Sequence, residues 1–144
     1  MNREILFKAK RKDNGEWVEG YYAKLGYGNN AKHFIIQNVS LQEDISYFED
    51  VEIDIDTLCQ YTGLTDKHGQ KIWENDIISI NAYSYYEPED DYFGIVTYCE
   101  KDACWALKNN ERFDEIICEC FGSYTTEIVN HGNIFDNAEL LEVE

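Results

Sequence analysis

Basic side chains, long apolar runs and proline are scarce in this chain. Its 144 residues include one proline, and 12 Lys and Arg stand against 29 Asp and Glu, which gives a formal net charge of −17. A protein that binds nucleic acid by general electrostatic attraction must present Lys and Arg to the phosphates, so this class is excluded. No stretch reaches the roughly 18 apolar residues of a membrane helix, and residues 1–12 lack the apolar segment of a signal peptide. We therefore expect an intracellular protein with no membrane partner.

The sequence signatures of common enzyme classes are also missing. There is no Gly-x-Ser-x-Gly, no glycine-rich phosphate loop and no His-Glu-x-x-His. Asp54 and Asp56 are expected on one face of a strand, where paired carboxylates can hold a metal or move a proton. Such pairs also arise by chance in a chain with 29 acidic residues, and a solvated surface is the favoured interpretation. We predict no catalytic residues and a protein that is not an enzyme; a metal-dependent hydrolase is the less favoured alternative.

The cysteines raise the question of metal binding. Five are present, an odd number, and without an export signal we expect reduced thiols: Cys59, Cys99, Cys104, Cys118 and Cys120. Cys118 and Cys120 are separated by one residue, and Cys99 and Cys104 by four, at the outer edge of the spacing seen in structural zinc sites. No further ligand pair accompanies them, so buried apolar thiols are the favoured interpretation. We predict neither a metal nor a cofactor.

Aromatic residues and two-residue periodicity are abundant. Phe, Trp and Tyr make up 15% of the chain, too many for a disordered acidic tail. The apolar positions alternate with a period of two, which predicts a mainly β protein. The clearest hairpin joins the alternating residues 5–9 to residues 17–22 through a turn that contains Asn14-Gly15. Near the other end, Asn137 is expected to cap a short helical turn over residues 138–141.

The acidity is concentrated in the second half of the chain. Residues 1–72 hold 9 basic and 12 acidic side chains, whereas residues 73–144 hold 3 and 17. One tyrosine-rich acidic segment is a possible partner surface: Tyr83, Tyr85, Tyr86, Glu87, Glu89, Asp90 and Asp91. Ordinary strand packing explains its tyrosines equally well, and its acidity either keeps the protein soluble or imitates nucleic-acid phosphates.

Three segments carry a family resemblance. The first runs from Arg3 through Asn14-Gly15-Glu16-Trp17 to Tyr21, and the second from Gln60-Tyr61-Thr62-Gly63-Leu64 through Lys71-Ile72-Trp73-Glu74-Asn75-Asp76 to Ile78. The third runs from Gly132-Asn133-Ile134-Phe135 to Leu141. In this order they resemble the YopX family of small bacteriophage and prophage proteins. The motif residues that look structural are Trp17, Gly20, Gln60, Tyr61, Thr62, Gly63, Gly69, Asp76, Gly132 and Asn133.

The resemblance implies a particular architecture and setting. It implies an N-terminal β hairpin and sheet region over residues 1–65, and an acidic, small barrel-like β region over residues 66–144, with at most a short C-terminal helical turn. One continuous compact unit is the alternative. Trp17 is expected to anchor the first core, Gly20 and Gly63 to permit bends, and Asp76 to turn the chain into the next strand. Asn75 stands where the family usually has glycine, and asparagine also tolerates a positive φ. The implied setting is a phage or prophage protein in the cytoplasm of a bacterial host.

Two functional hypotheses follow. The first is a non-enzymatic accessory protein that acts through protein contacts as a homo-oligomer, with an unknown phage or host protein as a further partner and no direct contact with nucleic acid. The second is an acidic nucleic-acid mimic that inhibits a host enzyme acting on DNA or RNA.

Overall fold

A computed structural model describes residues 4–42, 45–83, 90–101, 103–109, 112–116 and 125–141. The chain forms two compact units, Met1–Tyr61 and Thr62–Glu144, whereas the sequence placed the change after residue 65. The mainly β prediction is confirmed: the described residues form eleven strands and three short 3₁₀ turns. Within these ranges no helix is long and apolar enough to cross a membrane. The strands are β1 Phe7–Lys10, β2 Trp17–Leu25, β3 Lys32–Gln42, β4 Ile45–Glu52, β5 Cys59–Thr65, β6 Lys71–Trp73, β7 Asp76–Tyr83, β8 Asp90–Cys99, β9 Cys104–Asn109, β10 Arg112–Ile116 and β11 Thr125–Asn133.

The N-terminal unit is a curled antiparallel sheet. Its strands follow the order β4-β3-β2-β1-β5, and the boundary with the second unit falls within β5. The predicted hairpin of β1 and β2 is confirmed, with Gly15 at φ 74° in its turn. At the far end of β1, Arg11 forms a bridge with Ile53, and Asp54 N donates to Lys10 O at 2.9 Å. These contacts bring the ends of β1 and β4 together and curl the sheet around its core.

The core of this unit consists of small and β-branched side chains. These side chains occupy the inward-facing positions of the sheet. They are Ala9, Val18, Ile35, Val51 and Ile53, with Phe7, Tyr22 and Leu58 packed against them. The sequence placed Trp17 in this core, and the structure corrects it. Trp17 is opposite Lys10 in the register, whereas the neighbouring pair of Ala9 and Val18 is buried, so Trp17 lies on the other face of the sheet.

The C-terminal unit holds a five-stranded antiparallel sheet in the order β10-β9-β8-β7-β11, and also contains β6 and the second half of β5. The described sheet ends in β10 on one side and β11 on the other, so in this part of the chain it does not close into a barrel. Ile77 and Ile78 in β7 are both fully buried, and a nearly continuous isoleucine run of this kind is typical of a strand covered on both faces. The core residues are Ile72, Ile78, Ile80, Val96, Leu107 and Ile128, with Leu64 and Trp105 against them.

Two local predictions are corrected by hydrogen bonds. Asp54 and Asp56 do not share a strand face, because Ile55–Thr57 is a 3₁₀ turn in which Asp54 Oδ1 accepts from Asp56 N at 3.1 Å. The helical turn at Ala138–Leu141 is confirmed, but Asn137 Oδ1 accepts from Asn133 N at 3.2 Å. That bond reaches back towards β11 rather than forward into the turn.

Candidate interaction surface and the family motif residues

Asp76 is a buried hydrogen-bond acceptor at the start of β7. It is 2% exposed, and its Oδ2 accepts from Trp73 N and from Asn130 Nδ2, each at 2.8 Å. A buried carboxylate is stable only when hydrogen-bonded in this way. The preceding Asn75 has φ 71°, so asparagine does adopt the left-handed conformation at this turn. Asp76 thus ties the β6–β7 turn to β11, which makes it a structural residue.

Gly132 and Asn133 form a second polar turn at the end of β11. Gly132 has φ 134°, and a Cβ there would lie 2.5 Å from Asn137 Cγ, so only glycine fits. Asn133 Oδ1 accepts from Phe135 N and Asp136 N, each at 2.9 Å. The side chain of Asn133 therefore replaces the sheet bonds that the backbone loses as the strand ends.

The segment from Gln60 to Gly63 connects strands through backbone and hydroxyl groups. Gln60 pairs with Phe7 in the β1–β5 register, and Tyr61 N donates to Leu6 O at 2.8 Å. Thr62 Oγ1 donates to Ile72 O at 2.8 Å and accepts from Leu64 N at 3.2 Å. Gly63 has φ 88°, which supports the predicted bend in β5.

Asp66 closes the turn between β5 and β6. Its Oδ1 accepts from His68 N and Gln70 N, each at 2.9 Å, and Gly69 follows at φ 81°. Burial acts to raise the pKa of Asp66, but the amides of Gln70 and His68 outweigh it and lower that pKa below its usual value. The carboxylate is therefore part of the turn and remains ionised there.

Gly20 and Trp17 act on opposite faces of β2. A Cβ at Gly20 would lie 2.9 Å from Ile35 Cγ2 and collide with the Ile36 carbonyl, so this glycine permits a close approach of β2 and β3. On the other face, the Lys8 ammonium lies 4.5 Å from the Trp17 ring centroid. The family motif residues described above, in both units, thus take part in turns, strand pairing or side-chain packing.

One nucleophile–base pair escaped the sequence analysis. Ser79 Oγ and His131 Nε2 are 2.9 Å apart, although 52 positions separate the residues, and Phe93 lies 6.1 Å from the imidazole. A catalytic Ser–His pair also needs a group that orients the histidine and donors for an oxyanion. In the described part of the chain no carboxylate hydrogen-bonds His131, and no group of three His, Cys, Asp or Glu side chains could hold a metal. The pair alone supplies no reaction.

The tyrosine-rich partner surface predicted from the sequence falls mainly outside the described residues. Tyr85, Tyr86, Glu87 and Glu89 lie there. Of the others, Tyr83 pairs with Thr125, Asp90 with Ala82 and Asp91 with Asn81, in the ladders on either side of β7. That surface stays a prediction.

A different apolar surface lies on the N-terminal unit. The register places five large apolar side chains on the face of β2, β3 and β4 opposite the core: Tyr21, Leu25, Phe34, Ile36 and Phe48. We call these five residues the aromatic face. Phe48 is 67% exposed, Leu25 62% and Tyr21 59%, while Phe34 and Ile36 are half-buried. A visible signal was the apolar run Phe34-Ile35-Ile36 in β3, which predicts a strand with two apolar faces.

Charges of opposite sign flank the aromatic face. Lys8 and Lys10 lie on the same side of the sheet on β1, beyond β2, and Asp50 and Glu52 lie on that side on β4. Near the β4 flank, a depression of about 340 Å³ is lined by Arg11, Lys12, Asp13, Glu49, Asp50, Val51 and Glu52. Arg11 binds Asp13 through two hydrogen bonds of 2.9 and 2.8 Å, and this side-chain bond lowers the pKa of Asp13. The depression therefore already contains internally paired charges.

Comparisons with known proteins agree on the fold. The crystal structure of protein EF1440 from Enterococcus faecalis is similar, with a TM-score of 0.54 and 21% sequence identity over 98% of this chain and 100% of that one. No curated protein matches. The family described as YopX protein matches residues 6–142, which include the second and third segments of the resemblance and all of the first segment after residue 5. On this match over nearly its whole length, the chain belongs to the YopX family.

Proposed function

We propose that this protein is a non-enzymatic accessory protein of a phage or prophage, which works in the bacterial cytoplasm through protein contacts and pairs first with a second copy of itself. The observation that carries the proposal is the aromatic face. Exposed tyrosine and phenylalanine on a rigid sheet supply contact area at little cost in side-chain entropy, which is typical of protein interfaces. The sequence motifs and the Ser79–His131 pair offer no comparable support for a reaction.

The charges around the aromatic face favour a second copy as the occupant. In strand order, the basic β1 and the acidic β4 stand on either side of the apolar β2 and β3, and the two flanks approach each other at one end, where Arg11 bridges Ile53. In a face-to-face pair, a two-fold axis that runs parallel to the strands of this apolar centre brings the basic flank of each copy opposite the acidic flank of the other, because a two-fold interface uses one patch twice. In this arrangement the apolar centres of the two copies meet each other, and the charges around them are complementary.

The experiment measures the molar mass of the whole chain by sedimentation equilibrium at micromolar concentrations. We expect a wild-type dimer. Phe48→Glu places a charge in the patch that the interface would bury, so we expect at least a tenfold higher dissociation constant. Phe48 is 67% exposed, and the fold of the variant should be intact by circular dichroism.

The matched control is Tyr27→Glu. Tyr27 is also an exposed aromatic residue, at 93%, but it lies in the connection between β2 and β3, outside the aromatic face. We expect this variant to dimerise like the wild type. A wild-type monomer throughout the concentration range overturns self-association, and equal dissociation constants for the two variants overturn the assignment of the interface.

The acidic mimic is the second candidate, and the observation that favours it is the 17 acidic against 3 basic side chains in residues 73–144. Carboxylates at phosphate-like spacing attract a basic groove, and salt weakens the attraction. If this candidate is right, the wild type inhibits a bacterial nuclease, and a variant with Glu87, Glu89, Asp90 and Asp91 changed to amides inhibits it less. Equal inhibition by both excludes a mimic role for this segment.

A further inference from the structure

Two cysteines face each other across the hairpin of β8 and β9. Cys99 is the last residue of β8, Cys104 is the first residue of β9, and they are direct partners in the antiparallel register. Partners of this kind have Cα atoms about 4.5 to 5.5 Å apart, depending on the hydrogen-bonding position. A disulfide needs a Cα separation of about 4.4 to 6.8 Å. The register therefore places both cysteines at a separation that a disulfide can span.

The surroundings hold this pair in place and leave it accessible. The next pair in the register, Tyr98 and Trp105, packs edge to face with ring centroids 5.3 Å apart, which fixes the alignment of the two strands. Cys99 and Cys104 are both half-buried, in contrast to Cys59, which is fully buried and donates its thiol hydrogen to Thr57 O at 3.3 Å. An oxidant in solution can thus reach the hairpin thiols and not Cys59.

We propose that Cys99 and Cys104 are a redox pair that forms a cross-strand disulfide when the protein meets a small-molecule disulfide oxidant such as oxidised glutathione. The proposal stands apart from the self-association through the aromatic face, because it concerns the other unit of the chain.

The chemistry is a two-step thiol–disulfide exchange. The thiolate of one cysteine attacks a sulfur of the small disulfide, forms a mixed disulfide and releases one small thiol. The second cysteine, after losing its proton, attacks the sulfur of the first cysteine and releases the second small thiol. The protein loses two hydrogen atoms, the oxidant gains them, and no other reactant is needed. Placement of the second thiol directly across the ladder makes this last step intramolecular.

The test uses the whole protein and its own trypsin sites. Lys101 lies between the two cysteines, so trypsin separates residues 72–101, which contain Cys99 alone, from residues 102–108, which contain Cys104 alone. The folded protein is incubated with oxidised glutathione, the remaining thiols are alkylated at low pH, and the digest is analysed by mass spectrometry without reduction. We expect the two peptides to be joined, and to separate after treatment with dithiothreitol.

Single-cysteine variants provide the matched control. In Cys104→Ser the second step cannot occur, so we expect the mixed disulfide to accumulate and peptide 72–101 to carry one glutathione. In Cys99→Ser the same is expected of peptide 102–108. Persistent glutathione adducts on the wild-type peptides, unmodified thiols at both positions, or a link from residues 102–108 to residues 113–144, which contain Cys118 and Cys120, would overturn the proposal.

Discussion

The N-terminal unit has apolar side chains on both faces of β2 and β3, whereas the C-terminal unit fixes the ends of its strands with polar side chains. In the first unit, Ile35 is fully buried while its neighbour Ile36 lies on the aromatic face. In the second, Asp76 and Asn133 are buried and hydrogen-bonded. The difference separates two kinds of surface: most of the polar residues of the family motif hold the second unit together, and the first unit presents the exposed apolar face on which the proposed self-association rests.

The largest expected effect tests the two faces of β3. Ile35→Ala should reduce the free energy of unfolding by about 4 kcal/mol, because it leaves a cavity in the core. Ile36→Ala, one residue further on, should reduce the free energy of unfolding by only about 1 kcal/mol, and its main effect should be weaker self-association. Urea denaturation and sedimentation equilibrium measure the two quantities. Similar losses of stability would show that the aromatic face is a second core.

The next effect tests the polar turn of the second unit. Asp76→Ala removes the acceptor for Trp73 N, which is buried, and for Asn130 Nδ2, which is half-buried, so we expect the free energy of unfolding to fall by about 3 kcal/mol. The control is Asp54→Ala, in which an exposed turn-capping carboxylate is lost at a cost of about 1 kcal/mol. Urea denaturation compares them. Equal losses would contradict the claim that burial makes the Asp76 bonds important.

These contrasts also show what the sequence could predict. The hairpin around Asn14-Gly15 depends on residues close together in the chain, and a local pattern predicted it, whereas the tolerance of a positive φ at Asn75 followed from the family resemblance. Alternation alone does not say which face of a strand is inside, which is why Trp17 was placed on the wrong side. The exposed face of β2–β4 was missed for the same reason, since it requires the register of three strands.

The contact between Ser79 and His131 was harder to predict from the sequence than either face of the sheet. Ser79 and His131 meet because β7 pairs with β11, and the bulge between Asn130 and Gly132 shifts the register there. No local pattern encodes a contact between residues 52 positions apart. Sequence analysis predicted instead a tyrosine-rich surface from composition, and that surface remains untested.

The smallest effect is a dependence of stability on pH. The pKa of Asp66 in the folded state lies below its usual value of 3.8. The stabilisation is therefore complete above the unfolded-state pKa and is lost as the pH falls through the lower folded-state pKa. Between pH 5 and pH 2, the free energy of unfolding of Asp66→Asn should fall less than that of the wild type. The difference between the two slopes should correspond to the protonation of about one carboxylate.

Asp13 serves as the comparison for Asp66. Its pKa is also lowered, by Arg11, but that pair is exposed to solvent. High salt should therefore remove the contribution of Asp13 and leave most of the contribution of Asp66, whose carboxylate is bound to backbone amides. An acid transition of Asp66→Asn that matches the wild type at high salt would contradict this account.

The bond between Asp76 and Asn130 has a consequence for the order of synthesis. The two residues are 54 positions apart, and β11 is the last strand of its sheet to leave the ribosome. At a synthesis rate of about 5 to 20 residues per second, about 3 to 11 s pass between the synthesis of the isoleucine-rich β7 and that of its partner β11. During that time it presents an open edge with unpaired amides and carbonyls. The edge of β7 that pairs with β11 in the folded protein is therefore open to wrong pairing until β11 is made.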